Sequence, residues 1–151
     1  MKLLFVCTGN TCRSPMALVI AQRMFCESGL QGYELASAGV MATDGTSASV
    51  GAMDAVAQMG LDLSGHSSRA LTPELVCESG LILTMTQAHK NIVCSRYPDQ
   101  RGKVHIISEY AGLSGDVSDP FGGSLPIYAA CRDSLTEYIT LVTGKLSRGG
   151  I

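Results

Sequence analysis

Cys7-Thr8-Gly9-Asn10-Thr11-Cys12-Arg13-Ser14-Pro15 is the stretch on which both fold and chemistry turn. The apolar run Leu3-Leu4-Phe5-Val6 precedes it, and an amphipathic run begins at Met16. A hydrophobic strand, a short polar loop with glycine and then a helix is the layout of an anion site. Cys7 opens the loop and Arg13 closes it, with five residues between them. That spacing lets a tight loop wrap a tetrahedral oxyanion. Its backbone N–H groups point inward as a nest of donors, and the following helix adds its positive end. Arg13 supplies a planar fork for two phosphate oxygens, which lysine cannot do. Positive potential at the floor of such a loop favours Cys7 as a thiolate.

Around this loop the chain reads as alternating strands and helices. Leu3 to Cys7 is a buried parallel strand, with Ser14 as N-cap and Pro15 in the first turn of the helix that follows. That helix buries Met16, Val19, Ile20, Met24 and Phe25 and stops at Gly29. Tyr33 to Ala38 is a second strand, and Val40 to Ser49 is a surface loop of small and polar residues. A helix with Val50, Met53, Ala57 and Met59 on its inner face ends at Gly60. A short helix starts at Thr72-Pro73, Leu81 to Met85 is a third strand, and Thr86 caps a helix through Cys94. Val104 to Ile107 is the fourth strand. The last helix, from about Leu125 to Leu146, has Tyr128, Cys131, Leu135, Ile139, Val142 and Leu146 on one face. This order predicts an α/β fold, a parallel sheet with helices on both faces and the ligand site at the carboxyl ends of the strands.

The bulk numbers fit one domain over residues 1–151. The chain is 46% hydrophobic, enough for a single core, and its net charge of −2 gives no reason to expect a nucleic-acid or membrane partner. No apolar run is long enough for a membrane span, and Met1-Lys2 leads straight into a strand without a cleavage site. The six cysteines come without secretory context, which suits reduced thiols in a cytoplasmic protein. Cys26, Cys77, Cys94 and Cys131 fall in helical patterns as core residues. No further Cys or His has metal-ligand spacing, no cofactor is implied, and His66, His89 and His105 stand isolated without a role.

Several loop residues carry two readings. Gly9 is either an ordinary turn residue or the one that supplies φ > 0 and close approach to the anion. Asn10 is either a turn former or a brace for the loop, reaching toward Ser37. Ser14 caps the helix and also offers Cys7 a hydroxyl. Cys12 is either a small loop side chain or a redox partner for Cys7. Alone, Asp119 before Pro120 is a turn initiator; with the Cys7 loop it becomes the general acid that a sulfur-on-phosphorus displacement requires. Asp116 is its rival, without the proline context.

The pattern Cys-x4-Cys-Arg-Ser-Pro resembles the low-molecular-weight protein tyrosine phosphatases. Thr11 and Asp119-Pro120-Phe121-Gly122-Gly123-Ser124 narrow the resemblance to the bacterial protein arginine phosphatases of that family. The resemblance runs from Met1 to about Leu146 and implies four parallel strands in the order 2-1-3-4. It implies Cys7, Arg13 and Asp119 as catalytic residues. Thr8, Gly9, Asn10, Thr11, Cys12, Arg13 and Ser14 form the phosphate cradle, and Thr11 and Phe121 set specificity. The implied reaction is hydrolysis of phosphoarginine in proteins through a phosphocysteine, with phosphate as product or inhibitor and a regulatory Cys7–Cys12 oxidation. The alternative is a tyrosine phosphatase. An arsenate reductase needs relay cysteines closer together than Cys77 and Cys94, and a phosphocysteine carrier does not need Asp119 or the arginine clamp. A non-catalytic phosphate-binding module tolerates loss of Cys7 or Asp119, yet both are present. The chain departs from the family at Leu18, expected on the helix surface, where an acidic residue is common.

Overall fold

The structure is a computed structural model that describes residues 1–150. Strand β1 (Lys2–Cys7) lies at the centre of a four-stranded parallel sheet. It pairs on one side with β2 (Glu34–Gly39) and on the other with β3 (Ser79–Thr84), and β4 (Val104–Ile106) completes the order 2-1-3-4. The register sets Cys7 against Gly39 and Val6 against Thr84, so three strands end at the same edge. The loops leaving that edge form the candidate site, as expected for an open α/β sheet.

Alternation along β1 sends its side chains to two separate cores. Leu3, Phe5 and Cys7 join the larger core with Met16 and Ile20 of helix α1 (Arg13–Glu27) and Leu135 and Ile139 near the carboxyl-terminal end of the chain. Leu4 and Val6 join the smaller core. That one is closed by Leu75 and Val76 of α3 (Pro73–Glu78) and Val93 of α4 (Gln87–Arg96). The larger core is completed by α2 (Val50–Ala57) and α6 (Leu125–Ser147), while α5 (Ile107–Tyr110) packs its Ile107 and Tyr110 there too. No helix among the described residues is long and apolar enough to cross a membrane.

Most element boundaries move by a residue or two from the periodicity, and pairing explains the shifts. β2 extends to Gly39 because that residue pairs with Cys7; β3 starts early because Ser79 pairs with Lys2. Ile107 begins α5 instead of ending β4, and a 3-10 turn over Pro98–Lys103 replaces the loop before β4. The inner face of α2 is Ala52, Ala55 and Val56, with Met53 half-buried against the same core, while Val50 and Ala57 are exposed. Small residues win because the helix start lies hard against Tyr128: a Cβ on Gly51 would fall 2.3 Å from its ring. Cys26 and Cys77 are exposed and Cys94 is half-buried; of the four expected core thiols only Cys131 is buried. Each of the other three follows a residue that takes the inward position, Phe25, Val76 or Val93, and a 100° turn carries it outward. Leu18 is half-buried against the larger core, not a surface residue.

Candidate active site

β1 delivers Cys7 to the sheet edge, and residues 8–12 curl back so that α1 starts at Arg13. The curl lies directly against the end of β2. Val40 N donates to Cys7 O and Met41 N to Thr8 O, both at 2.9 Å. A Cβ on Gly39 would sit 2.4 Å from the Thr8 carbonyl oxygen, so only glycine permits this approach.

The positive φ that the curl needs falls on Asn10, at φ 56, and not on Gly9. Asn is the residue type that adopts this conformation at low cost when its side chain bonds locally. Asn10 is fully buried, and its Nδ2 donates to Ser14 Oγ (2.8 Å) and Ser37 Oγ (3.0 Å). Its Oδ1 accepts from Arg69 N at 3.0 Å, and its carbonyl oxygen lies 2.7 Å from His66 Nε2. The expected brace to Ser37 is therefore one of four.

Ser14 does not cap α1. Cys12 occupies the cap position without a side-chain bond, and the Ser14 hydroxyl lies 2.8 Å from Cys7 Sγ. Because Asn10 Nδ2 donates to Ser14 Oγ, the serine proton is free to point at the sulfur. Asn10 N donates to the same sulfur at 3.3 Å. The sulfur is thus held between the Ser14 hydroxyl and the Asn10 amide.

Arg13 is buried at 6% exposure. Its Nη1 donates to Val117 O at 3.0 Å, and its Nη2 lies 3.7 Å from Asp119 Oδ2. Asp119 is half-exposed at the mouth, and its Oδ1 accepts from Phe121 N at 3.1 Å. Cys7, Thr8, Thr11, Arg13, Asp119 and Phe121 line one cavity of about 260 Å³. The three expected catalytic residues and both expected specificity residues therefore meet in one place. A larger cavity of about 360 Å³ lies behind the Asp119 loop; it touches Asp119 but neither Cys7 nor Arg13, so only the smaller one joins the three expected catalytic residues. Asp116 faces this rear cavity, and its Oδ1 accepts from Gln87 N at 2.8 Å, which ties the loop to α4.

Cys12 Sγ lies 3.1 Å from Ser49 Oγ and 3.6 Å from Tyr128 Oη, and both Cys7 and Cys12 are free thiols. Burial pushes the nearby Cys131 thiol up to about 12. His89, isolated in the sequence, is 4% exposed with its Nε2 2.8 Å from Thr8 Oγ1. Burial first, and the Arg13 charge second, push its imidazole down to about 4. The signal for His89 was its place in the first turn of a helix that starts at the ligand edge. His66 and Arg69 offered no comparable signal, since they act through an irregular segment.

The geometry can be compared with known proteins. The family model for low molecular weight phosphotyrosine protein phosphatase matches residues 2–149. A Bacillus subtilis protein named protein-arginine-phosphatase is 41% identical over 149 residues, covering 98% of each chain. The low molecular weight protein-tyrosine-phosphatase PtpB of Staphylococcus haemolyticus is 38% identical over 146 residues, covering 97% of each chain. Among solved structures, the YwlE arginine phosphatase, as a C7S mutant with a phosphorylated active-site serine, superposes with a TM-score of 0.94. It is 40% identical, with 98% of this chain and 97% of that one covered. With its loop, sheet order and nearly full-length match, this chain belongs to the low molecular weight phosphotyrosine protein phosphatase family.

Proposed function

We propose that this chain is a protein arginine phosphatase, hydrolysing phosphoarginine in protein substrates through a phosphocysteine. The observation that carries the reading is the single cavity where Cys7, Arg13 and Asp119 converge with Thr11 and Phe121 on its wall. The phosphoryl group enters the loop amides from Thr8 to Ser14 and the Arg13 fork. Cys7 thiolate attacks phosphorus, the P–N bond breaks, and Asp119 gives its proton to the departing nitrogen. Asp119 carboxylate then takes a proton from water, whose oxygen attacks phosphorus. The P–S bond breaks, which restores the thiolate and releases inorganic phosphate. Loop amides and Arg13 hold the equatorial oxygens through both steps, and Ser14 steadies the leaving sulfur.

Arginine is favoured by the wall. Thr11 sets a hydroxyl where an aliphatic side chain would suit a phenyl ring, and Phe121, 76% exposed, offers one face on which a planar guanidinium stacks. Gly122 adds no second aromatic ring beside it. The similar relative named protein-arginine-phosphatase supports this, while the PtpB relative supports a second reading, a tyrosine phosphatase. The test is the ratio of kcat/KM for matched phosphoarginine and phosphotyrosine peptides in the wild type and Thr11→Ile. The wild type should favour phosphoarginine, and the substitution should move the ratio toward phosphotyrosine. A wild-type preference for phosphotyrosine makes the second reading the correct one.

A further inference from the structure

Thr8 is the exposed residue of the loop, on the cavity wall with Thr11, and its side chain is gripped from outside the loop. The grip is His89, buried in the first turn of α4. The two atoms are 2.8 Å apart, Thr8 Oγ1 to His89 Nε2. The other ring nitrogen, Nδ1, is buried without a partner. A buried N–H left unpaired is rarer and costlier than a bare lone pair, so the proton belongs on Nε2 and Thr8 accepts it. The hydroxyl is thereby held in one orientation, with a second lone pair left over.

The arginine reading gives that lone pair a use. A guanidinium carries only N–H donors, and a phenyl ring carries none. We propose that Thr8, oriented by His89, is a further specificity-determining residue whose hydroxyl oxygen accepts an N–H of the substrate guanidinium. The inference rests on the arginine reading. With a phenyl group in the cavity the same lone pair is stripped of water and left unmatched, the situation in which a polar site rejects an analogue lacking the donor. His89 is the positioning residue. Its burial beside Arg13 keeps the ring neutral, so it sets no positive charge against the incoming guanidinium.

The experiment measures kcat/KM for a phosphoarginine peptide divided by that for 4-nitrophenyl phosphate, a ratio from which general damage to the loop cancels. Thr8→Val should lower the ratio about tenfold, the loss of one hydrogen bond to a charged group. Thr8→Ser should keep the wild-type ratio. His89→Phe, which fills the space without a donor, should lower it, and Thr8→Val/His89→Phe should fall no further than Thr8→Val alone. His89→Gln, which retains an N–H, should recover part of the ratio and stands in if the phenylalanine variant does not fold. If the wild type prefers phosphoarginine but Thr8→Val leaves the ratio unchanged, this proposal falls and the arginine reading stands. Additive losses in the double variant overturn the role of His89. A wild type without preference for phosphoarginine overturns both readings together.

Discussion

Arg13 Nη1 donates to the carbonyl oxygen of Val117 at 3.0 Å, two residues before Asp119, so the side chain proposed to clamp phosphate also anchors the loop that carries the proposed general acid. The same loop is tied down by Val117 N to Met85 O at 2.9 Å and by Asp116 to α4. The guanidinium is thus one of three ties that hold Asp119 over the Cys7 loop.

Arg13→Lys keeps the charge but loses the fork and cannot serve Val117 and a phosphoryl group at once. The expected loss in kcat/KM on 4-nitrophenyl phosphate is about 10²–10³-fold, the range seen when one preorganised donor is removed. Competitive inhibition by inorganic phosphate should weaken in parallel. A loss under about fivefold would show that charge alone does the work.

Asp119→Asn preserves the bond to Phe121 N but has no proton to give. Hydrolysis of substrates with basic leaving groups should slow by about 10²–10⁴-fold, and that of an activated aryl phosphate distinctly less. Asp116→Asn retains an oxygen for Gln87 N and should stay within about threefold of wild type, as for a substitution outside the reacting groups. Equal losses for both leaving groups would make Asp119 structural.

How much of this was legible in advance follows the range of the interactions. Cys7, Arg13, Ser14 and the α1 start are local in sequence, and spacing alone brought them together. Asp119 is 106 positions beyond Arg13, and it was found through its proline context and a family resemblance, because periodicity says nothing about which loops converge. Propensity alone points to Gly9 for a positive φ in this loop. The fold gives it to Asn10, whose bonds to Ser37 and Arg69 are long-range and offset the backbone cost. For His89 the sequence offers only its place in the first turn of a helix at the ligand edge; its partner, Thr8, is 81 residues away, and no spacing rule joins the two. Val50 is exposed and Ala52, Ala55 and Val56 lead the inner face of α2 because what selects that face is Tyr128, on a different helix.

Peroxide should link Cys7 to Cys12. The thiolate is oxidised first, to a sulfenic acid, and the Cys12 thiol condenses with it, releasing water. To reach Cys7, the Cys12 sulfur must leave Ser49 and Tyr128, so the disulfide form should protect α2 less from hydrogen exchange. Peptide mass mapping should find the linked pair, and a thiol reductant should restore activity. Equal recovery of the Cys12→Ser variant after peroxide rules out Cys12 as the resolving thiol.

Asn10 separates backbone from side-chain effects. Asn10→Gly keeps φ 56 accessible but loses the bonds to Ser14, Ser37 and Arg69, for a cost of about 2–3 kcal/mol. Asn10→Ala loses the same bonds and adds the strain of a non-glycine residue at positive φ, about 1 kcal/mol more. Urea unfolding of the three proteins measures both. If the alanine and glycine variants are equally stable, the left-handed conformation is not what constrains this position.

His89 makes stability depend on acidity. Its folded value of about 4 lies below the ordinary imidazole value of about 6.5, so between these limits the unfolded chain takes up a proton that the folded one refuses. Its contribution is therefore complete above about pH 6.5 and is lost as pH falls toward 4, by at most about 3 kcal/mol. The charges that face it are Arg13, which opposes protonation, and Asp116 and Asp119, which favour it too weakly to prevail over burial. His105 is displaced in the same direction, chiefly by its own burial, and adds a smaller part of the same sign. Urea unfolding of the wild type and His89→Phe at pH 7.5, 6.0 and 5.0 isolates the term, since every other titrating group is common to both proteins. The stability gap between the two should narrow steadily from pH 7.5 to 5.0. A constant gap would mean that the imidazole at position 89 carries a proton in the folded state as readily as in the unfolded one, and that burial against Thr8 and Arg13 does not hold it neutral.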